Sequence, residues 1–354
     1  MFNKKFYEQL AREFNKVEKS FSASSFVNDV TENLHELLLN ERMRNTSIVL
    51  KDHLPAEFNE AVEVMKKVIP TIERGYTTLA FPDFVGLYGQ ENFEISMEAL
   101  KYFTSFGSSE FAIRTFLKKD FDKTITVMKK WAKDKNHHVR RLASEGSRPR
   151  LPWSFKIDEV IKNPDSTREI LEILNTDTEL YVKKSVANHL NDISKDNTDY
   201  MLRLINKWDK KNENTAWIIK HASRTLIKKG DARSLAVFDF EKNPKIDIKN
   251  FKILSPKIRL GQKLKFGFDV VSQKNKTQKL VIDYIIHYQK KSAALSAKVF
   301  KLKEIDLQPK QKINISKEQL IKDFSTRKHH KGKHLVEIMV NGKKIKKGEF
   351  ILGV

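Results

Sequence analysis

Asn136-His-His-Val139-Arg-Arg-Leu-Ala143, Glu179-Leu-Tyr-Val182-Lys-Lys-Ser-Val-Ala187 and Thr215-Ala-Trp-Ile218-Ile-Lys-His-Ala222 are three variants of one pattern. Each opens on a polar cluster, reaches a β-branched residue and continues into charge. Val139 and Val182 are 43 residues apart, and Val182 and Ile218 are 36 apart. A helix pair recurring at that interval fits a HEAT-like solenoid, where each pair buries its apolar face only against its neighbours. Chance similarity within an ordinary helical bundle is the alternative. An earlier copy begins at Ser109-Glu-Phe-Ala-Ile-Arg114. On both sides the helical period continues, in Val62, Met65, Val68 and Ile69, in Ile170, Leu171 and Leu174, and in Leu202 and Ile205. Residues 1–242 are therefore expected to form an all-α repeat domain.

Past Asn243-Pro244 the period becomes two. Leu264, Phe266, Phe268 and Val270 alternate with Lys263, Lys265, Gly267 and Asp269. Further apolar runs follow at Val281–Tyr288, Lys298–Lys303 and His334–Val340. Asn341-Gly342 signals a type I′ hairpin, because both residues accept positive φ. About seven short strands over residues 245–354 imply an all-β immunoglobulin-like sandwich. With no cysteine in the chain, it has no intersheet disulfide.

The 354 residues carry a formal charge of +22, which makes a polyanion the leading partner. The charge is polarised: residues 1–100 hold −5, 101–242 hold +9, and 243–354 hold +18, from 27 basic and 9 acidic residues. A purely solubilising surface has no reason to be so uneven. The absence of cysteine excludes thiol catalysis and Cys-ligated zinc. With twelve glycines and no GxxxxGK[ST], GxGxxG or HExxH, phosphate-cradling loops, nucleotide cofactors and a zincin metal site are disfavoured. No apolar run is long enough to cross a membrane, and the first residues lack a signal-peptide core. The expectation is a cytoplasmic monomer, nucleoid-associated when bound, with no cofactor, no metal and no membrane partner.

Chemistry concentrates in Val139-Arg-Arg-Leu-Ala-Ser-Glu145-Gly-Ser-Arg148-Pro-Arg150-Leu-Pro-Trp153. Four arginines surround one carboxylate. If residues 139–145 are helical, Gly146 sits where helices stop, and the prolines hold the following segment extended. Guanidinium groups suit phosphates, and an indole stacks on a base or sugar. Glu145 either neutralises Arg141 or Arg148 as a salt bridge, or stabilises a cationic centre on the ligand. Cleavage of an N-glycosidic bond builds such a centre on the sugar.

Ser144-Glu-Gly-Ser-Arg-Pro-Arg-Leu-Pro-Trp153 closely resembles the hallmark of the AlkC branch of the AlkC/AlkD DNA alkylation-repair glycosylases. Ser109–Arg114 and Ser185-Val-Ala-Asn188-His-Leu-Asn-Asp192-Ile-Ser194 are similar to further segments of that branch. The resemblance implies a HEAT-like domain followed by an immunoglobulin-like one. The implied activity is hydrolytic excision of cationic N-alkylated bases, chiefly 3-methyladenine, from duplex DNA, without metal and without a deep base-flipping pocket. It makes Glu145 the principal catalytic carboxylate and Glu110 a second acid. Arg148 then grips a phosphate and Trp153 packs on the lesion nucleotide. Arg114, Arg141 and Arg150 are expected as further DNA contacts, since guanidinium groups suit phosphates. The chain has Thr115 where the family pattern has proline.

Asn188 and Asp192, one helical turn apart, either line the groove or link adjacent repeats. His137-His138 is read as a polar helix start, because adjacent histidines point to different faces. Arg327, His329, His330, Lys331 and Lys333 form a basic loop suited to DNA contact. The rival reading is a non-catalytic HEAT-like scaffold that binds DNA or RNA through its basic C-terminal domain.

Overall fold

The computed structural model describes residues 1–324 and 328–353. Among them are sixteen α-helices: α1 (Lys4–Val17), α2 (Ala23–Thr31), α3 (Leu39–His53), α4 (Phe58–Val68), α5 (Ala80–Tyr88), α6 (Phe93–Phe103), α7 (Ile113–Lys119), α8 (Phe121–Trp131), α9 (His137–Gly146), α10 (Asp158–Lys162), α11 (Arg168–Leu174), α12 (Leu180–Asp196), α13 (Thr198–Asn206), α14 (Glu213–Ala222), α15 (Arg224–Lys228) and α16 (Ala232–Val237). Eight strands follow: β1 (Ile246–Ile253), β2 (Lys257–Arg259), β3 (Lys263–Ser272), β4 (Gln278–Gln289), β5 (Leu295–Leu307), β6 (Lys312–Leu320), β7 (Gly332–Val340) and β8 (Lys343–Gly353). None of these helices is long and apolar enough to cross a membrane.

The chain divides into two compact units, Met1–Ala222 and Ser223–Val354. This division precedes the switch from helix to strand at 242–246. The reason is apolar: Ile227, Leu235 and Phe240 are buried together with Val281 of β4, so α15 and α16 belong to the sheet unit.

In the helical unit, local chemistry starts the helices and tertiary burial retains them. The Asn3 side chain accepts from the Phe6 amide at 2.9 Å, capping α1, whose Tyr7, Leu10, Ala11 and Phe14 are buried at helical spacing. The three look-alike segments begin α9, α12 and α14. α12 packs against both of the others, so residues some forty positions apart in sequence become side-by-side neighbours.

The sheet unit is a sandwich of a three-stranded sheet, ordered β1-β3-β6, and a five-stranded sheet, ordered β2-β8-β7-β4-β5. Alternation in β3 buries Leu264, Phe266, Phe268 and Val270. They meet Leu280, Ile282, Tyr284 and Ile286 of β4 in one core. Asn341 (φ 46°) and Gly342 (φ 78°) form the type I′ turn joining β7 to β8. Gly342 is required twice over. Its φ is positive, and a Cβ there would lie 2.1 Å from the Gly230 Cα. Asn341 locks the turn: its Oδ1 accepts from the Val281 amide and its Nδ2 donates to the Glu241 carbonyl, both at 2.7 Å.

Candidate active site

α9 carries the centre of the motif. The Asn136 side chain caps it by accepting from the His138 amide at 2.9 Å, so His137 and His138 do start a helix. Arg141 and Glu145 are one turn apart on this helix and share a face. α9 ends at Gly146, and packing requires glycine there: a Cβ at this position would meet Ile113 Cγ2 at 2.5 Å.

The segment expected to be extended is instead a run of turns. Leu151 folds back into the core with 4% exposure, and the Ile157 amide donates to the Pro149 carbonyl at 3.1 Å. Trp153 adopts φ 64°, in the left-handed region, and is 81% exposed. A non-glycine residue held there is strained, and such strain collects at functional positions.

Glu145 is buried at 5% exposure within a network of acids and arginines. Its Oε1 accepts from Arg148 at 2.6 Å and lies 3.5 Å from Arg141. Its Oε2 is buried without a hydrogen-bond partner. Arg148 in turn donates to Asp192 at 2.8 Å and 2.7 Å, and Asp192 takes Lys195 on its other oxygen at 2.7 Å. Glu110, in the turn before α7, pairs with Arg141 and accepts from Ser108 Oγ at 2.7 Å. The two expected carboxylates are thus joined through a single arginine.

A second layer holds this network in place. Arg114 is fully buried and gathers three backbone carbonyls: Gly146 at 3.0 Å, Arg148 at 2.6 Å, and Phe155. Burial, with some repulsion from Arg148, pulls its guanidinium down to about 10, still charged at neutral pH. His189 Nδ1 donates to the Ser144 carbonyl at 2.9 Å, and Nε2 faces Thr167 Oγ1 at 3.3 Å. Burial pushes this imidazole down to about 3, so it is neutral and fixes the backbone beside Glu145.

These placements revise several expected DNA contacts. Arg114 has no exposed surface and pins the Gly146–Phe155 segment from within. Arg148, 7% exposed, is spent on Glu145 and Asp192 rather than standing open to a phosphate. Its buried fork needs two acids to offset desolvation. Arg150 makes a two-pronged pair with Asp196, both arms at 2.6 Å. Asp192 is 1% exposed and links repeats, whereas Asn188, one turn earlier on α12, is half-buried. In the sheet unit, Lys331 and Lys333 are exposed and His330 is half-buried. His329 instead turns inward, 7% exposed, and bonds Asp323. Arg327 lies outside the described residues.

Trp153 stands at a cavity of about 630 Å³ that Phe111, Phe155, Tyr76, Arg44 and Asp83 also line. Sequence reasoning missed Tyr181, whose ring lies under the Arg141 guanidinium at 4.6 Å. A signal was present. In all three look-alike segments an aromatic ring precedes the β-branched residue: His138, Tyr181 and Trp217. Packing α9, α12 and α14 together puts a cation of one segment on the ring of the next, as Lys183 over Trp217 at 5.7 Å repeats.

Residues 91–226 match the family described as DNA alkylation repair enzyme. Residues 247–354 match the C-terminal Ig-like domain of the family of uncharacterised protein YhaZ. The uncharacterized protein YhaZ of Bacillus subtilis strain 168 is 38% identical over 97% of this chain and 95% of its own length. Among solved structures, the chain is similar to the alkylpurine DNA glycosylase AlkC of Pseudomonas fluorescens, bound to DNA containing an abasic site analog. That similarity has 42% identity and a TM-score of 0.94, and covers 100% of this chain and 98% of that one. Likeness of this extent, through both units and across the Glu145 motif, makes the chain a member of the AlkC branch of the DNA alkylation-repair glycosylase family.

Proposed function

We propose that this protein is a DNA glycosylase that hydrolyses the N-glycosidic bond of cationic alkylated bases of the 3-methyladenine type in duplex DNA. The observation that carries this reading is the Glu145 carboxylate. One oxygen is locked by Arg148, and the other is buried with its acceptor capacity unused, so a water brought to it as the lesion binds meets an unsatisfied carboxylate oxygen. A preorganised carboxylate in a desolvated place favours a positive charge that develops on C1′. The C1′–N bond breaks with its electron pair going to the base, which leaves uncharged. Water adds to C1′ and gives its proton to Glu145, which passes it to solvent. The products are a free base and an abasic site. A base that already carries positive charge weakens its own bond, so protonation by a general acid is unnecessary.

Glu110 adds a second negative group, and Trp153 offers an exposed indole to the lesion nucleotide without a deep pocket for a flipped base. Lys331, Lys333 and the +18 segment supply sequence-independent backbone affinity. The protein acts as a monomer in the cytosol, on nucleoid DNA. The test is release of 3-methyladenine from methylated duplex by the wild type and by Glu145→Gln. Release that drops at least about a hundredfold in the variant supports the reading. Equal release by the two removes Glu145 from the chemistry, and no release by the wild type favours the DNA- or RNA-binding scaffold.

A further inference from the structure

Arg141 is bonded unlike the other arginines of the motif. Its guanidinium touches Ser108 Oγ at 2.6 Å, Glu110, Glu145 Oε1 at 3.5 Å and the face of Tyr181 at 4.6 Å. Two carboxylates and an aromatic face are what a planar, delocalised, weakly hydrated cation selects. A guanidinium is such a cation, and so is an N-alkylated purine. We propose that Arg141 is an exchangeable counter-ion: in the free protein it occupies the seat that Glu110, Glu145 and Tyr181 present to the cationic base, and it leaves that seat for a DNA phosphate when the lesion enters. This rests on the glycosylase reading given above.

Charge balance supports the exchange. Three acids, Glu110, Glu145 and Asp192, are paired with three cations, Arg141, Arg148 and Lys195. Arg114, charged and buried behind the same acids, makes the cluster net positive while Arg141 is seated, which opposes entry of a cationic base. Releasing the Arg141 guanidinium removes that excess and leaves Glu110 without its cation where the base arrives. Arg148 is not the one to leave: two buried acids, Glu145 and Asp192, hold it at 2.6–2.8 Å. Lys195 neutralises only Asp192. Arg141 holds Glu145 at the longest distance in the network, and Tyr181, 42% exposed, brings its seat to solvent. Duplex DNA supplies the phosphate that draws Arg141 out, so backbone binding itself uncovers the acids. An undamaged, neutral base gains little from the vacated seat, which makes Tyr181 a specificity-determining residue.

Two measurements on the full chain test the exchange. The first is the salt dependence of affinity for a duplex carrying an abasic-site analogue, which requires no turnover. Arg141→Gln is expected to reduce the slope of log Kd against log salt by about 1, and Arg141→Lys to keep it. The double variant Arg141→Gln, Glu110→Gln leaves no carboxylate newly unpaired and is expected to match the single variant. The second is kcat/KM for 3-methyladenine release. Tyr181→Leu is expected to lose about tenfold and Tyr181→Phe, which keeps the ring, to restore most of it. An unchanged salt slope in both glutamine variants overturns the exchange, as does full activity in Tyr181→Leu. If the wild type releases no base, the glycosylase reading falls, while the salt slope still decides whether Arg141 moves to phosphate.

Discussion

The two units of this protein use positive charge in opposite ways. In the helical unit the motif cations are arginines committed to partners: Arg140 to Asp177, Arg148 to Glu145 and Asp192, Arg150 to Asp196, and Arg114 to three carbonyls. In residues 243–354, only Arg259 and Arg327 among 27 cations are arginine, and the lysines of β8, such as Lys346 and Lys347, stand exposed. A planar fork satisfies two acceptors at once and tolerates desolvation, whereas an ammonium group prefers water and reads a phosphate as a point charge. Arginine here builds a site, and lysine supplies a field. The net charge therefore says little about where chemistry occurs.

The largest expected break in this comparison is Arg148→Ala. It removes the buried cation that Glu145 and Asp192 share, leaving Asp192 only Lys195 and Glu145 only the longer contact to Arg141, and should lower the stability of the helical unit by about 3 kcal/mol. All four tryptophans lie in that unit, so urea unfolding followed by tryptophan fluorescence reads it separately. The sheet unit has one buried acid that runs against its lysine-rich surface. Burial pushes Asp283 from 3.8 up to about 6, against Lys228 and Lys301. Between those pH values the folded state holds the extra proton, so the stability of the sheet unit falls as pH rises through the window. Asp283→Asn should recover up to about 3 kcal/mol above pH 6, seen as a higher unfolding temperature of the strand signal by circular dichroism.

His189 gives the opposite sign. Its folded pKa of about 3 lies below the ordinary 6.5, so in that range the unfolded chain holds the extra proton. Stability of the helical unit should fall as pH drops from 6.5 toward 3, with a limiting slope of about 1.4 kcal/mol per pH unit. His189→Gln should flatten this slope. The smallest effect on stability is expected from Lys346→Gln with Lys347→Gln, within about 0.5 kcal/mol. If these lysines reach DNA, that pair should reduce the salt slope of duplex affinity by about 0.9 for each phosphate left without its lysine. A large stability loss here would erase the distinction between the two units.

Much of this architecture is legible in one dimension. The look-alike segments begin helices that pack together, the alternation at Leu264–Val270 is a buried strand face, and Asn341-Gly342 makes the turn its residues permit. Glu145 stands out as a lone acid among arginines. Residue type misleads at Arg114 and Arg148, where it suggests phosphate and burial dictates otherwise. It misleads again at residues 148–153, where two prolines suggest an extended chain and Leu151 turns back to the core. Tyr181 is marked only by the ring that recurs before the β-branched residue of each look-alike segment, and that ring gains its meaning when α9 packs on α12 and sets Arg141 over it.

Periodicity, turn chemistry and composition act over a few residues, so they fix two kinds of element, their order, and the position of the distinctive motif. Only stacking of the helices settles which arginines become buried clamps and which keep a path to the surface. Asp192, one of the two acids on Arg148, is 44 residues from it, and Asp177 is 37 residues from Arg140. Such pairs form only when successive helices stack within a side chain's reach, and the desolvation that accompanies stacking turns a cation into either a buried clamp or an exposed contact.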